Sequence, residues 1–271
     1  MITRTALRST AASNTTAVRS MSAMGQLGRG WLNATAKSRN ECMDTAQIHP
    51  DAKLLVCDMA GTTVFEEGMV YSTLLECMQD SGLGVTEAEM HAWHGADKTE
   101  VTANFVGREI SDPSKQAIKA KEIDDLFLIK LEERYLAPDS PVALIVPGLP
   151  DYLHNLRASG IKVGLNTGYP TRLQEALLQK LELKEMVDAW CCAADVSRAR
   201  PSPFMTFNLM NQLNIDSGVV KAGDTVRDMG EGTNSHCVQN VGVLSGADDA
   251  KTLYDAGADV VIPDITKLMF N

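Results

Sequence analysis

The run LLVCDMAGTTV, residues 54–64, constrains this chain more than any other segment. Leu54, Leu55, Val56 and Cys57 are four consecutive apolar residues, the pattern of a strand buried on both faces in a parallel sheet. The run ends on an acid, Asp58, and breaks at Gly61, with the hydroxyls of Thr62 and Thr63 behind it. In open α/β sheets the reactive groups gather just past the carboxyl ends of the strands. A carboxylate placed there, beside a glycine turn that offers free amides and hydroxyls, can attack a phosphorus centre whose oxygens the turn holds. Thr62 is the hydroxyl expected to meet those oxygens.

The chain after residue 50 alternates strand and helix signals, which predicts a doubly wound, Rossmann-like α/β core around a parallel sheet. Beyond the first strand, the candidate strands are Lys162–Asn166, Ala189–Ala193, Val219–Ala222 and Val238–Leu244. The amphipathic stretches between them are Leu149–Ser159, Arg172–Leu183, Pro203–Leu213 and Arg227–His236. One interval breaks the alternation. From Glu67 to Ser140 only helical patterns occur, over Met69–Ser81, Thr86–Phe105 and Ser114–Leu136, with Thr86 and Ser114 as N-caps. An insertion of this size predicts an α-helical cap domain over 67–140, which would close on the carboxyl edge of the sheet and exclude water. The core is then 46–66 together with 141–271, and 1–45 is a tail.

Charge sets that tail apart. Residues 1–40 hold Arg4, Arg8, Arg19, Arg29, Lys37 and Arg39 with no Asp or Glu; removing those six positives from the net charge of −10 leaves −16 for the remainder. Basic, Ser/Thr/Ala-rich and without an apolar h-region, the segment has the composition of an organellar transit peptide. A mitochondrial address is the expectation, against a disordered tail of a cytoplasmic protein. The acidic remainder argues against nucleic acid as a partner, and no run reaches the ~18 apolar residues of a membrane span. Six cysteines without a CxxC, in 271 residues, form neither a disulfide scaffold nor a zinc site.

Three further segments carry chemistry. In GLNTGYP, Thr167 ends a strand and Gly168 opens the turn, so a hydroxyl and free amides could hold a phosphoryl oxygen; taken alone, the segment is better explained as a plain strand-to-helix turn with Thr167 as cap. In ARPSPFM, Arg200 precedes a proline-started helix and could neutralise both Asp58 and a phosphoryl group; a solvated loop arginine is the plainer alternative. In KAGDTVRDMGEG, a strand delivers Asp224, with Asp228 one turn on. Two carboxylates beside Asp58 make a hard oxygen site suited to Mg2+. Each signal is weak alone. Acid, hydroxyl, cation and acid pair in succession, each after a strand end, are hard to assign to chance.

The DxxGTT segment, with the three sites in this order, resembles the haloacid dehalogenase superfamily over about residues 52–246. Ala60 stands where phosphoester members carry a second Asp, which makes the chain similar to the phosphonatase (phosphonoacetaldehyde hydrolase) and phosphonatase-like branch. The resemblance implies a Mg2+-dependent hydrolase that cleaves a P–C bond through an aspartyl-phosphate at Asp58. It implies a Schiff base on a cap lysine, which the segment HGADKTEV assigns to Lys98, and a metal site of Asp58, Asp224, Asp228 and the main-chain carbonyl of Ala60. Tyr169 matches the tyrosine of the second motif. Two positions depart from the phosphonatase pattern: Val101 stands in place of a histidine, and His94 in place of a methionine.

The logic is chemical. A departing carbanion needs an electron sink, which an iminium supplies and a carboxylic acid does not. His94, four residues before Lys98, would share its helix face and could shuttle a proton. The expected reaction converts phosphonoacetaldehyde, or a close phosphonate, to acetaldehyde and phosphate. Two alternatives stay open: a Mg2+-dependent phosphatase acting on a small phosphorylated metabolite without imine chemistry, and a non-enzymatic ligand-binding member of the fold. The apolar stripe Met69, Tyr71, Leu74, Leu75 and Met78 serves either the cap's own core or a homodimer contact.

Overall fold

The computed structural model describes residues 41–93, 96 and 98–270. The transit reading of the first forty residues, and His94, lie outside them. The chain opens with β1 (Ala46–Gln47) and β2 (Leu54–Asp58), then β3 (Val64–Phe65). Four helices follow: α1 (Met69–Asp80), α2 (Glu87–His91), α3 (Lys98–Glu109) and α4 (Pro113–Leu136). The chain returns through β4 (Ala143–Leu144), α5 (Leu149–Ala158) and β5 (Lys162–Thr167). Next come α6 (Thr171–Lys180), α7 (Leu183–Met186) and β6 (Ala189–Cys192). The last part holds α8 (Phe204–Leu213), β7 (Val219–Gly223), α9 (Val226–Asn234) and β8 (Gln239–Val243). It ends with α10 (Ala250–Asp255), β9 (Val260–Ile262) and β10 (Leu268–Met269).

Six parallel strands form one sheet in the order β6-β5-β2-β7-β8-β9. The chain leaves β2 toward β5 and β6, then returns to its other side through β7, so β2 sits at the switch point where such sheets bind ligands. Both faces of β2 are covered, as its unbroken apolar run requires. Leu55 and Cys57 join the core that contains Leu153 and Leu177, whereas Leu54 and Val56 pack with Met205 and Leu209 of α8. Register aligns the functional ends: Asp58 pairs with Asn166 and Cys57 with Ala222. Thr167 and Asp224 therefore stand one residue beyond the level of Asp58 or just past it, along one edge.

The four helices leave and re-enter through an antiparallel pair, Val64↔Leu144 and Phe65↔Ala143. They share an apolar centre with Leu74, Met78, Phe105, Phe127 and Leu131 buried. Lys130 bridges Glu76 and Asp80 at 2.7 and 2.8 Å, tying α4 to α1. The stripe on α1 thus spends Leu74 and Met78 on this inner packing.

Several expectations are corrected. Thr86 does cap α2, with Glu89 completing a capping box, but the stretch Thr86–Phe105 is two helices, since α2 ends at His91 and α3 begins at Lys98. Asp112, not Ser114, caps α4, because Pro113 takes the first helical position and lacks an N–H to satisfy. The stretch Arg172–Leu183 breaks after Lys180, where Glu182 turns left-handed at φ 57°. Residues 41–45, read as tail, contact the core: Met43 N donates to Val261 O at 2.8 Å. All six cysteines are free, and no described helix is long and apolar enough to cross a membrane.

Candidate active site

Asp58 closes β2 with 5% of its surface exposed. The turn after it is shaped by Gly61, whose φ of +79° favours glycine. A Cβ there would lie 2.4 Å from Asp224 Oδ2, so the absence of a side chain lets the turn close on the second acid. Asp224, 3% exposed, follows β7 and accepts from Ala247 N at 2.8 Å and from Thr62 Oγ1 at 3.2 Å. Thr62 is itself fully buried. Its hydroxyl holds Asp224 and is not presented to the cavity, contrary to the expectation that it would grip a phosphoryl oxygen.

Arg200, from the loop between β6 and α8, forks between two acids. Its Nη2 lies 2.7 Å from Asp58 Oδ1 without hydrogen-bond alignment, and its Nη1 pairs with Asp228. Asp228 is fully buried on the first turn of α9, where Thr225 Oγ1 donates to it at 2.6 Å. Lys221, inside β7 and also fully buried, reaches Asp228 at 2.9 Å and Glu231 at 3.2 Å. Asn166 joins this network by accepting from Lys221 Nζ and donating to Glu231 Oε2, both at 2.8 Å.

The electrostatics follow from this pairing. Burial pushes the Asp58 carboxyl up to about 6, against the opposing pull of Arg200. Burial also raises Asp228, but Arg200 and Lys221 outweigh it and hold that acid at about 2. Asp224 has no cationic partner among the described residues; burial and then Asp58 lift it well above the carboxylate range. Four buried carboxylates (Asp58, Asp224, Asp228 and Glu231) face two buried cations. One oxygen from each of Asp58, Asp224 and Asp228 lies within 4.8 Å of the others. An all-oxygen donor set, in a buried network with more acids than cations, fits a hard divalent cation such as Mg2+.

Asp58, Arg200 and Asp224 open onto a cavity of about 280 Å³ that Ala60, Thr167, Gly168 and Tyr169 also line. Thr167 Oγ1 accepts from Tyr169 N at 3.2 Å. Lys98 reaches the same cavity from the start of α3, with Glu66 and Tyr71 beside it. Its Nζ donates to Tyr71 Oη at 2.7 Å and to Ala96 O at 2.8 Å, and sits 4.2 Å from the Tyr71 ring centroid. The structure thus gathers Asp58, Ala60, Lys98, Thr167, Gly168, Tyr169, Arg200 and Asp224 around one space, with Asp228 directly behind. Val101 is buried in the apolar packing of the inserted helices.

Sequence reasoning missed Glu66, Tyr71, Tyr135, Lys221 and Glu231. A lysine inside the apolar run VVKAG was the one available signal, since a charge is seldom fully buried without partners.

A buried acid at a strand end, an arginine fork and an acid cluster, set on a doubly wound sheet, suit a hydrolase of the α/β class. The profile described as "Hydrolase: haloacid dehalogenase-like hydrolase" matches residues 52–235, and the chain belongs to that family. It is 31% identical over 205 residues to a phosphonoacetaldehyde hydrolase of Syntrophobacter fumaroxidans, covering 73% of this chain and 74% of that one. A second relative of that name, from Parabacteroides distasonis, is 32% identical over 132 residues, 48% of this chain and 49% of its own. Among solved structures, a phosphonoacetaldehyde hydrolase-like protein from Oleispira antarctica superposes with a TM-score of 0.66 at 23% identity, covering 86% of this chain and 93% of that one.

Proposed function

We propose that this hydrolase cleaves the carbon–phosphorus bond of phosphonoacetaldehyde, or a close phosphonate, with Lys98 as imine-forming amine and Asp58 as nucleophile. The observation that carries the reading is one cavity that holds Asp58 on its floor, the methyl of Ala60 beside it, and the Lys98 amine in its wall. The names of the relatives support the same substrate.

Lys98 condenses with the aldehyde, loses water and leaves an iminium. A carboxylate oxygen of Asp58 then attacks phosphorus while Thr167, Gly168 and Arg200 hold the phosphoryl oxygens. The P–C electron pair moves into the iminium, which becomes an enamine. Water hydrolyses the aspartyl-phosphate to free phosphate; the enamine takes a proton on carbon, and water releases acetaldehyde from Lys98. Asp58, Asp224, Asp228 and the Ala60 carbonyl would hold Mg2+, which when bound screens the repulsion between carboxylate and anionic substrate. The inserted helices act as the cap that excludes water during this sequence. The basic first forty residues would carry an organellar address.

One observation favours a second reading. Lys98 Nζ donates to Tyr71 Oη and to Ala96 O, which suits an ammonium that only binds charge, as in a phosphatase for a small phosphorylated metabolite. Product analysis separates the two. With phosphonoacetaldehyde and Mg2+, phosphate and acetaldehyde should appear one to one. Turnover confined to phosphate esters or acyl phosphates would discard the phosphonate reading.

A further inference from the structure

The wall that carries Lys98 contains a hydrogen-bonded chain that the phosphoryl chemistry does not use. Glu66 precedes α1 and lines the cavity. Its Oε2 accepts from Tyr135 Oη at 2.8 Å and from Val70 N at 2.9 Å. Tyr135 Oη lies 2.9 Å from Tyr169 Oη, and the two rings meet edge to face at 5.9 Å. Burial, first of all, raises both phenols well above their ordinary range, so both remain protonated donors. No hydrogen bond among the described residues reaches Glu66 Oε1. One helical residue beyond Val70, Tyr71 accepts from Lys98 Nζ at 2.7 Å. The first turn of α1 therefore anchors a carboxylate and the partner of the amine side by side.

Imine formation needs such a group. The amine enters as an ammonium and must lose a proton, and the aldehyde oxygen must gain protons to depart as water. Asp58 and Asp224 belong to the phosphoryl end of the cavity. Glu67 is exposed at its mouth, and Val101 has no proton to exchange. Burial, above all, raises the Glu66 carboxyl, with Val70 N, Tyr135 and Lys98 pulling the other way; that moves it toward the pH at which an acid–base group works.

Resting on the imine reading above, we propose that Glu66 is the proton-exchanging group of the Lys98 condensation, acting through Oε1. Glu66 takes one proton from the Lys98 ammonium, and the freed nitrogen pair bonds to the aldehyde carbon. After a proton passes from nitrogen to oxygen, the carbinolamine hydroxyl takes the proton back from Glu66 and leaves as water. The nitrogen pair then closes the iminium, and Glu66 is again a carboxylate. Tyr135 and Val70 N fix its other oxygen, and Tyr71 holds the nitrogen.

The test is the single-turnover rate at which borohydride traps phosphonoacetaldehyde on Lys98, followed against pH in wild type and Glu66→Gln. Glutamine keeps an acceptor for Tyr135 and Val70 but takes no proton. Trapping should slow roughly 10²–10⁴-fold and lose its acidic limb. Tyr135→Phe guards against a misfolded variant: losing a donor to the carboxylate should move that limb to higher pH, a change that a packing role would not cause. Equal trapping rates in wild type and Glu66→Gln overturn the role of Glu66 and leave the imine intact. No adduct in wild type overturns both.

Discussion

Replacing Lys221 by methionine removes one charge from a sealed network and keeps the side-chain volume. Lys221 is fully buried, 2.9 Å from Asp228, 3.2 Å from Glu231 and 2.8 Å from Asn166 Oδ1. Asp228 would keep Arg200 and Thr225. Glu231 would keep only Asn166, and its Oε1 already has no hydrogen-bond partner among the described residues. Removing one partner of a buried ion pair costs about 3–5 kcal/mol, because the charge left behind stays desolvated. At about 2–4 °C per kcal/mol for a domain of this size, the melting temperature should fall by roughly 6–20 °C. Urea melts at fixed Mg2+ measure the free energy, and the double variant Lys221→Met/Glu231→Gln should recover at least half of it. A loss below about 1 kcal/mol, or no recovery in the double variant, would refute the claim that Lys221 balances Glu231.

Three further outcomes are expected. Gly61→Ala places a Cβ 2.4 Å from Asp224 Oδ2 at a φ of +79°, so Mg2+ affinity, read by calorimetry, should drop at least tenfold while the fold survives. Arg200→Lys cannot span Asp58 and Asp228 together; phosphate release should fall by about two orders of magnitude, with the loss in kcat. In the metal-free protein Asp58 titrates at about 6, against an ordinary 3.8. The folded state thus binds the extra proton, and stability falls as pH rises from about 4 to 6, by roughly 3 kcal/mol at most. Asp58→Asn should lessen that slope in thermal melts, leaving the part that Asp224, also raised by burial, contributes, and Mg2+ should flatten it in wild type.

The core was legible where a local pattern and its burial coincide. Leu54–Cys57 read as a strand covered on both faces, and it is one. Thr86 read as an N-cap because a hydroxyl stood just before a helical pattern, and it caps α2. Other features depend on distant partners. The pairs Ala46↔Leu268 and Gln47↔Met269 join opposite ends of the fold, and two residues give no periodicity to detect. The break before Lys98 hid inside a stretch that keeps helical spacing. Within the site, Asp58, Thr167, Arg200 and Asp224 were found because each follows a strand end. Glu66 and Tyr135 were not, since 69 residues separate two groups that meet only once α4 has packed. Thr62 was given the wrong partner because a turn hydroxyl does not reveal which acid it faces.

The most direct test of the central claim is peptide mass spectrometry of the wild-type protein after borohydride reduction in the presence of phosphonoacetaldehyde and Mg2+. A reduced adduct on the peptide carrying Lys98, formed alongside phosphate release, is the expected result. Phosphate released with no adduct, or with the adduct on a different lysine, would contradict imine-assisted cleavage at this site.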